Sequence, residues 1–194
     1  TGVDEVDRAA GSRFLAAPSL RKIVEAAAQG YQRIAIVARP CQVQALRKLQ
    51  MSGKPGLPGQ MLVIGLFCMW SLNWGFRDFV QTKLPGARIT RLRIPRHGLV
   101  VETDRGELIL DLEQVRQFIR TGCGYCLDMT AELADISVGS LEIEPGWNTV
   151  LVRSAAGREL MDKALASGKL EVSEYPTAEL ERLKGASLNK KIRA

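Results

Sequence analysis

Two short apolar runs, Ile34-Ala35-Ile36-Val37-Ala38 and Met61-Leu62-Val63-Ile64-Gly65-Leu66-Phe67, flank a stretch of helical periodicity. That order restricts the fold more than any other feature of the chain. Short continuous runs of this kind suit strands covered on both faces. Between them the spacing predicts a helix over 42–50 with Val43, Leu46 and Leu49 inward. Pro40 suits its first turn, where a missing N–H forfeits no intrahelical bond. Residues 53–59, rich in Gly and Pro, form a loop by composition. Strand, helix and strand make a βαβ unit, whose crossover is right-handed and whose strands are parallel. Cys41 follows the first run and Cys68 ends the second. Both are therefore predicted at the C-terminal edge of the sheet, where open α/β sheets place ligands. Cys41 also falls at a helix N-terminus, where unpaired N–H groups favour a thiolate.

The 194 residues suffice for one domain with a buried core, so a single α/β domain over 1–194 is expected. Ahead of the first run, Leu20, Ile23, Val24 and Ala27 recur at helical spacing, with Ser19 as cap and Gly30 as stop. After the second run a helix is predicted over 71–82, carrying Trp74, Phe76 and Phe79 and ending before Pro85-Gly86. Residues 88–110 alternate apolar segments with turn signals at 95–98 and 104–106, which reads as an antiparallel meander. Asp111 with Gln114 resembles a capping box for a helix over 112–120 that delivers the chain to Gly122. Strands over 134–139 and 149–153 and helices over 157–167 and 177–184 complete the prediction. The fold class is α/β: a mixed sheet with a βαβ unit, an antiparallel meander and flanking helices.

Lys and Arg outnumber Asp and Glu by 27 to 21, but the excess is scattered and forms no basic stripe interleaved with aromatics. No nucleic-acid partner is expected. No apolar run approaches the roughly 18 to 20 residues that span a bilayer, and no secretory n-region and h-region open the chain. A soluble, cytoplasmic protein without a membrane span is expected. The chain begins at Thr1 and enters amphipathic sequence within a few residues, so further sequence is expected upstream.

Four cysteines are too few for a disulfide-stapled scaffold, and Cys123-Gly124-Tyr125-Cys126 points to metal or redox chemistry instead. A Cys-x-x-Cys turn gives two local ligands, its flanking glycines let the backbone bend closely, and two strand-end cysteines complete a set of four thiolates suited to an iron–sulfur cluster. Zinc is an alternative, although zinc sites usually combine two local knuckles and here a βαβ crossover splits the second pair. A redox-active thiol pair, or small buried thiols at strand ends, also fits the spacing.

Several motifs in order add a family resemblance. Arg39-Pro40-Cys41-Gln42 with Ala45-Leu46-Arg47-Lys48-Leu49, then Gly65-Leu66-Phe67-Cys68, Gly122-Cys123-Gly124-Tyr125-Cys126-Leu127-Asp128, Ala134-Asp135-Ile136-Ser137-Val138-Gly139 and Gly146-Trp147-Asn148-Thr149-Val150 resemble the beta subunits of coenzyme F420 hydrogenases and dehydrogenases. The resemblance runs from about Gly11 to the end and corresponds to the C-terminal portion of that family. It implies that Cys41, Cys68, Cys123 and Cys126 ligate one 4Fe-4S cluster. It further implies FAD as cofactor and coenzyme F420 as substrate, in a hetero-oligomer with a hydrogenase, a formate dehydrogenase or another redox subunit. The deazaflavin moves hydride, clusters move single electrons, and a flavin between them can do both. A glycine-rich flavin-binding segment found upstream in complete members is absent, so FAD is expected to need it, and activity of this stretch alone is left open. Ser12 and Arg13, in a motif just after that segment, are candidates for contact with flavin phosphate. Two other functions stay in view: a zinc-stabilised, non-redox interaction domain, and a related flavin iron–sulfur reductase with another substrate.

The only histidine, His97, sits in a Pro-Arg-His-Gly turn and is read as an exposed loop residue. Trp147-Asn148 is read as an aromatic plug at a sheet edge, with approach to a cofactor as the alternative, and Asp128, Glu132 and Asp135 are read as exposed or helix-capping residues. Lys190, Lys191 and Arg193 are read as a solvated tail, or as a docking site for an acidic partner.

Overall fold

The computed structural model describes residues 4–6, 14–15, 17–53, 56–95, 98–139 and 146–193. Ser12, Arg13 and His97 lie outside the described residues. The two apolar runs form β1 (Arg33–Ala38) and β2 (Gln60–Leu66), paired in parallel from Arg33 against Gln60 to Ala38 against Gly65. α1 (Ser19–Ala28) precedes β1, and Gly30, at φ +87°, turns the chain out of that helix in a conformation other side chains resist. α2 (Pro40–Met51) joins the strands, with Pro40 as its first residue and Val43 and Leu46 fully buried.

The chain then divides into two units, Pro18–Met69 with Gly124–Ala194, and Thr1–Ala17 with Trp70–Cys123. In the first, β6 (Ile136–Gly139) pairs in parallel with β2, and β7 (Thr149–Val152) pairs antiparallel with β6. The sheet order is β1-β2-β6-β7. Its core joins Ile23 of α1, Ile36 and Ala38 of β1, Val43 and Leu46 of α2, Val63 of β2, and Ala131 and Ala134 from the segment leading into β6. This unit ends in α5 (Ala155–Ala166) and α6 (Thr177–Arg193).

In the second unit, α3 (Gly75–Lys83) packs Phe76 and Val80 against a meander of β3 (Ile89–Arg93), β4 (Leu99–Thr103) and β5 (Gly106–Leu110). α4 (Leu112–Arg116) follows, with Val115 buried in the same core. The predicted α/β class, mixed sheet and antiparallel meander are therefore all present, the meander as a sheet of its own.

Three predicted boundaries change by four residues or more. The helix expected from Ser71 begins at Gly75, because Ser71 Oγ donates to Phe14 O at 2.8 Å and Leu72 bridges both Leu15 and Ile119 as isolated β pairs. The same bridge ends α4 at Arg116, well short of Arg120. Asp111 makes no side-chain cap, so the expected capping box does not form. The last helix runs to Arg193, beyond the expected Lys184. Among the described residues no helix is long and apolar enough to cross a membrane.

Gly65 is a point of close approach in the parallel sheet, because a methyl group there would collide with the Cβ atoms of Ala131 and Ala134. Overpacking of this kind costs about 1–3 kcal/mol. Gly65→Ala is expected to lower the urea midpoint by a corresponding amount, and an unchanged midpoint would show that the 131–134 segment yields freely.

Candidate metal centre

The register of β1 on β2 sets the positions of two cysteines. Cys41 lies three residues beyond Ala38, and Cys68 lies three beyond Gly65, the residue paired with Ala38. Arg39 keeps extended backbone and donates its N–H to Gln42 Oε1 at 3.1 Å, so Cys41 enters α2 in its first turn with its side chain exposed. Beyond β2 the parallel ladder continues for one more bond, Phe67 N–H to Val138 O at 2.9 Å. Cys68 N–H then turns to Met129 O at 2.8 Å. That bond lays the segment after Cys126 beside Cys68.

The 126–135 segment has little regular structure and is held instead by polar groups. Asp128, 3% exposed, accepts the Thr130 and Glu132 N–H groups at 3.0 Å each, one on each carboxylate oxygen. Ala131 takes φ +55°, and its carbonyl accepts Ser137 Oγ at 3.1 Å. Arg153 donates to Ser137 Oγ at 2.9 Å and to Thr130 Oγ1 at 2.8 Å. Asp135 accepts Val63 N–H at 2.8 Å and Arg47 at 3.1 Å on Oδ2, and Ser154 Oγ at 2.7 Å on Oδ1. The reading of Asp128 and Asp135 as exposed or helix-capping is thus corrected: both are buried, and their carboxylates organise the loop. Glu132 is exposed, paired with Lys191 at 2.6 Å.

Lys190 is a second correction. Far from trailing in solvent, it is 4% exposed, and its Nζ donates to Cys68 O at 2.5 Å and Asp128 O at 2.9 Å. One amine from α6 therefore joins the Cys68 backbone to the loop after Cys126. Lys191 and Arg193 are exposed, as expected, and Trp147 is 40% exposed, which does not suit a plug.

Cys126 Sγ lies 3.5 Å from Asp128 O. Cys123 closes the other unit, in a single 3-10 turn (Thr121–Tyr125). Its N–H donates to Arg120 O at 2.8 Å, and its Sγ lies 3.9 Å from Ser71 O. None of the four cysteines is in a disulfide. Among the described residues, no three His, Cys, Asp or Glu side chains are gathered so as to hold a single metal ion. A mononuclear zinc site draws every donor onto one atom. A four-iron cluster takes four thiolates, and a donor set of four cysteines suits it chemically. A cleft of about 610 Å³ in the smaller unit is lined by Trp74, Arg77 and Arg88 among others, and by none of the cysteines.

Residues 31–178 match the family that comprises the C terminus of the coenzyme F420 hydrogenase/dehydrogenase beta subunit. The chain belongs to this family. It is 32% identical over 178 residues to a coenzyme F420 hydrogenase subunit beta from Methanosarcina barkeri, covering 87% of this chain and 60% of that relative. It is 29% identical over 173 residues to a coenzyme F420-dependent sulfite reductase from Methanocaldococcus jannaschii, covering 81% of this chain and 27% of that protein. A solved structure of the F420-reducing [NiFe] hydrogenase complex from Methanosarcina barkeri contains a chain that superposes with a TM-score of 0.81 at 28% identity, covering 94% of this chain and 66% of that one. The chain thus spans less than two thirds of the hydrogenase subunit from Methanosarcina barkeri that it matches.

Asp128→Ala removes the acceptor of the buried Thr130 N–H and of the partly buried Glu132 N–H, and a buried N–H left unsatisfied costs about 1–3 kcal/mol. The variant is expected to lose about that much stability in urea and to expose the 127–132 segment to proteolysis. Protection equal to the parent would mean that backbone contacts alone hold the loop.

Proposed function

We propose that this chain is the electron-transfer portion of an F420-linked oxidoreductase. Cys41, Cys68, Cys123 and Cys126 each bind one iron of a 4Fe-4S cluster, which exchanges electrons with FAD and, through it, with coenzyme F420. The observation that most supports the reading is the Cys68 N–H bond to Met129 O, which lays the loop after one proposed ligand beside another. Membership of the F420 beta subunit family supports the redox class. Such a cluster carries single electrons, and a flavin converts between single-electron and hydride chemistry.

The residues of the chain bind and shield. The four thiolates hold iron, while the Asp128 carboxylate and the Lys190 amine keep the two ligand-bearing segments in place. FAD is proposed to need sequence beyond this stretch, with Ser12 and Arg13 touching its phosphate. The partner is proposed to be a hydrogenase, formate dehydrogenase or similar subunit, in a cytoplasmic hetero-oligomer.

The match to a sulfite reductase favours a second reading, a related flavin iron–sulfur reductase with another substrate. Full-length polypeptide mixed with reduced coenzyme F420 separates the two. Flavin bleaching supports the first, and an inert flavin moves the assignment to the second.

Anaerobic purification is expected to give brown protein with about four iron and four sulfide per chain. Serine at each of the four cysteine positions in turn is expected to lower the iron content and alter the spectrum. Colourless protein carrying one zinc would contradict the reading and return the zinc-stabilised interaction domain.

A further inference from the structure

Lys190 is a buried cation for which no carboxylate partner occurs among the described residues. It is 4% exposed, and its Nζ donates to two carbonyls, Cys68 O and Asp128 O. The acids of the neighbouring loop are engaged elsewhere. Asp128 binds Nζ through its backbone and turns both carboxylate oxygens to the N–H groups of Thr130 and Glu132. Glu132 pairs with the adjacent Lys191. A lysine ammonium has three N–H donors, of which two are placed here.

Burying a charge without an opposite charge costs far more than burying a hydrogen-bonded neutral group. Two neutral carbonyls ease that cost without cancelling the charge. Two of the cysteines border the same spot: Cys68 supplies one of the carbonyls from its backbone, and Cys126 Sγ lies 3.5 Å from the other, Asp128 O. An anion held by these cysteines would supply the missing charge. A cluster bound by four thiolates is such an anion, and its reduction potential follows from net charge, burial and hydrogen bonding around its sulfurs.

We propose, resting on the cluster assignment above, that Lys190 is a positioning residue that sets the reduction potential of that cluster. Its fixed positive charge stabilises the reduced form, which carries one more electron, and so raises the potential. The step is the gain of one electron by the cluster, supplied by the flavin or by the partner subunit.

The test uses the full chain purified anaerobically, with three variants. Lys190→Gln keeps N–H donors and removes the charge, Lys190→Met removes both, and Lys190→Arg keeps the charge. In an electrochemical titration read by cluster absorbance, the ratio of reduced to oxidised cluster at a fixed poise is expected to fall about tenfold in K190Q and K190M, a shift of about 59 mV to more negative potential for one electron. K190R should stay within about twofold of the parent.

If the neutral variants bind the cluster too weakly to titrate, the readout becomes iron retained through anaerobic gel filtration. Retention in K190R with loss in K190Q and K190M supports a requirement for charge. Equal loss in all three assigns Lys190 to packing alone and overturns the proposal. A parent-like potential in K190Q overturns it while leaving the cluster assignment intact. A parent chain without iron overturns both.

Discussion

Parallel pairing of β1 with β2 is the constraint from which the candidate centre follows. Two strands running the same way must deliver their ends to the same edge, and with Ala38 opposite Gly65 each cysteine follows that pair by three residues. An antiparallel pair would have sent them to opposite ends of the sheet. The pairing itself depends on close approach: Gly65 leaves room for Ala131 and Ala134, and these complete the core that Ile36, Val43 and Val63 begin. Hydrophobic burial beneath the sheet and ligand placement at its edge are thus two results of one register.

The irregular segment from Cys126 to Asp135 illustrates how buried polar groups replace regular structure. Its backbone makes few ladder bonds, yet its N–H and C=O groups are met by Asp128, Ser137, Arg153 and Lys190. Asp135 ties the end of this segment to the Val63 N–H of β2 and to Arg47 of α2. Loss of one partner of a fully buried ion pair costs about 3–5 kcal/mol. The Arg47 side chain is 24% exposed, so its share is smaller. Such a network specifies one loop conformation, which an apolar loop of the same length would not.

The strands and the helix of the βαβ unit were legible because each carried a local signal: unbroken apolar runs, a proline at a helix start, a loop rich in Gly and Pro. The meander was legible from its turns. Elements that answer to distant contacts were not. Residues 71–74 have helical periodicity, but Leu72 is claimed by bridges to Leu15 and Ile119, partners far away in sequence. The last helix was expected to end at Lys184, and the Gly185 that follows costs roughly 1 kcal/mol against alanine inside a helix, yet α6 continues through it, with Leu183 and Lys190 both buried. Lys190 itself lies in a run of charged residues that is indistinguishable from a solvated tail until the carbonyls of Cys68 and Asp128 are in place. The cysteines were legible as chemistry; the amine and the carboxylate that hold their loops were not, since a single Lys or Asp carries no spacing to read.

Everything proposed for this chain rests on the four cysteines serving one cubane cluster. Mössbauer spectroscopy of the chain assembled with iron-57 under anaerobic conditions tests that most directly, because the spectrum reports both nuclearity and ligand type. The expected spectrum is the paired-valence signature of a thiolate-bound four-iron cluster, perturbed by serine at Cys41, Cys68, Cys123 or Cys126. A mononuclear iron signal, or a four-iron signal indifferent to those substitutions, would contradict it.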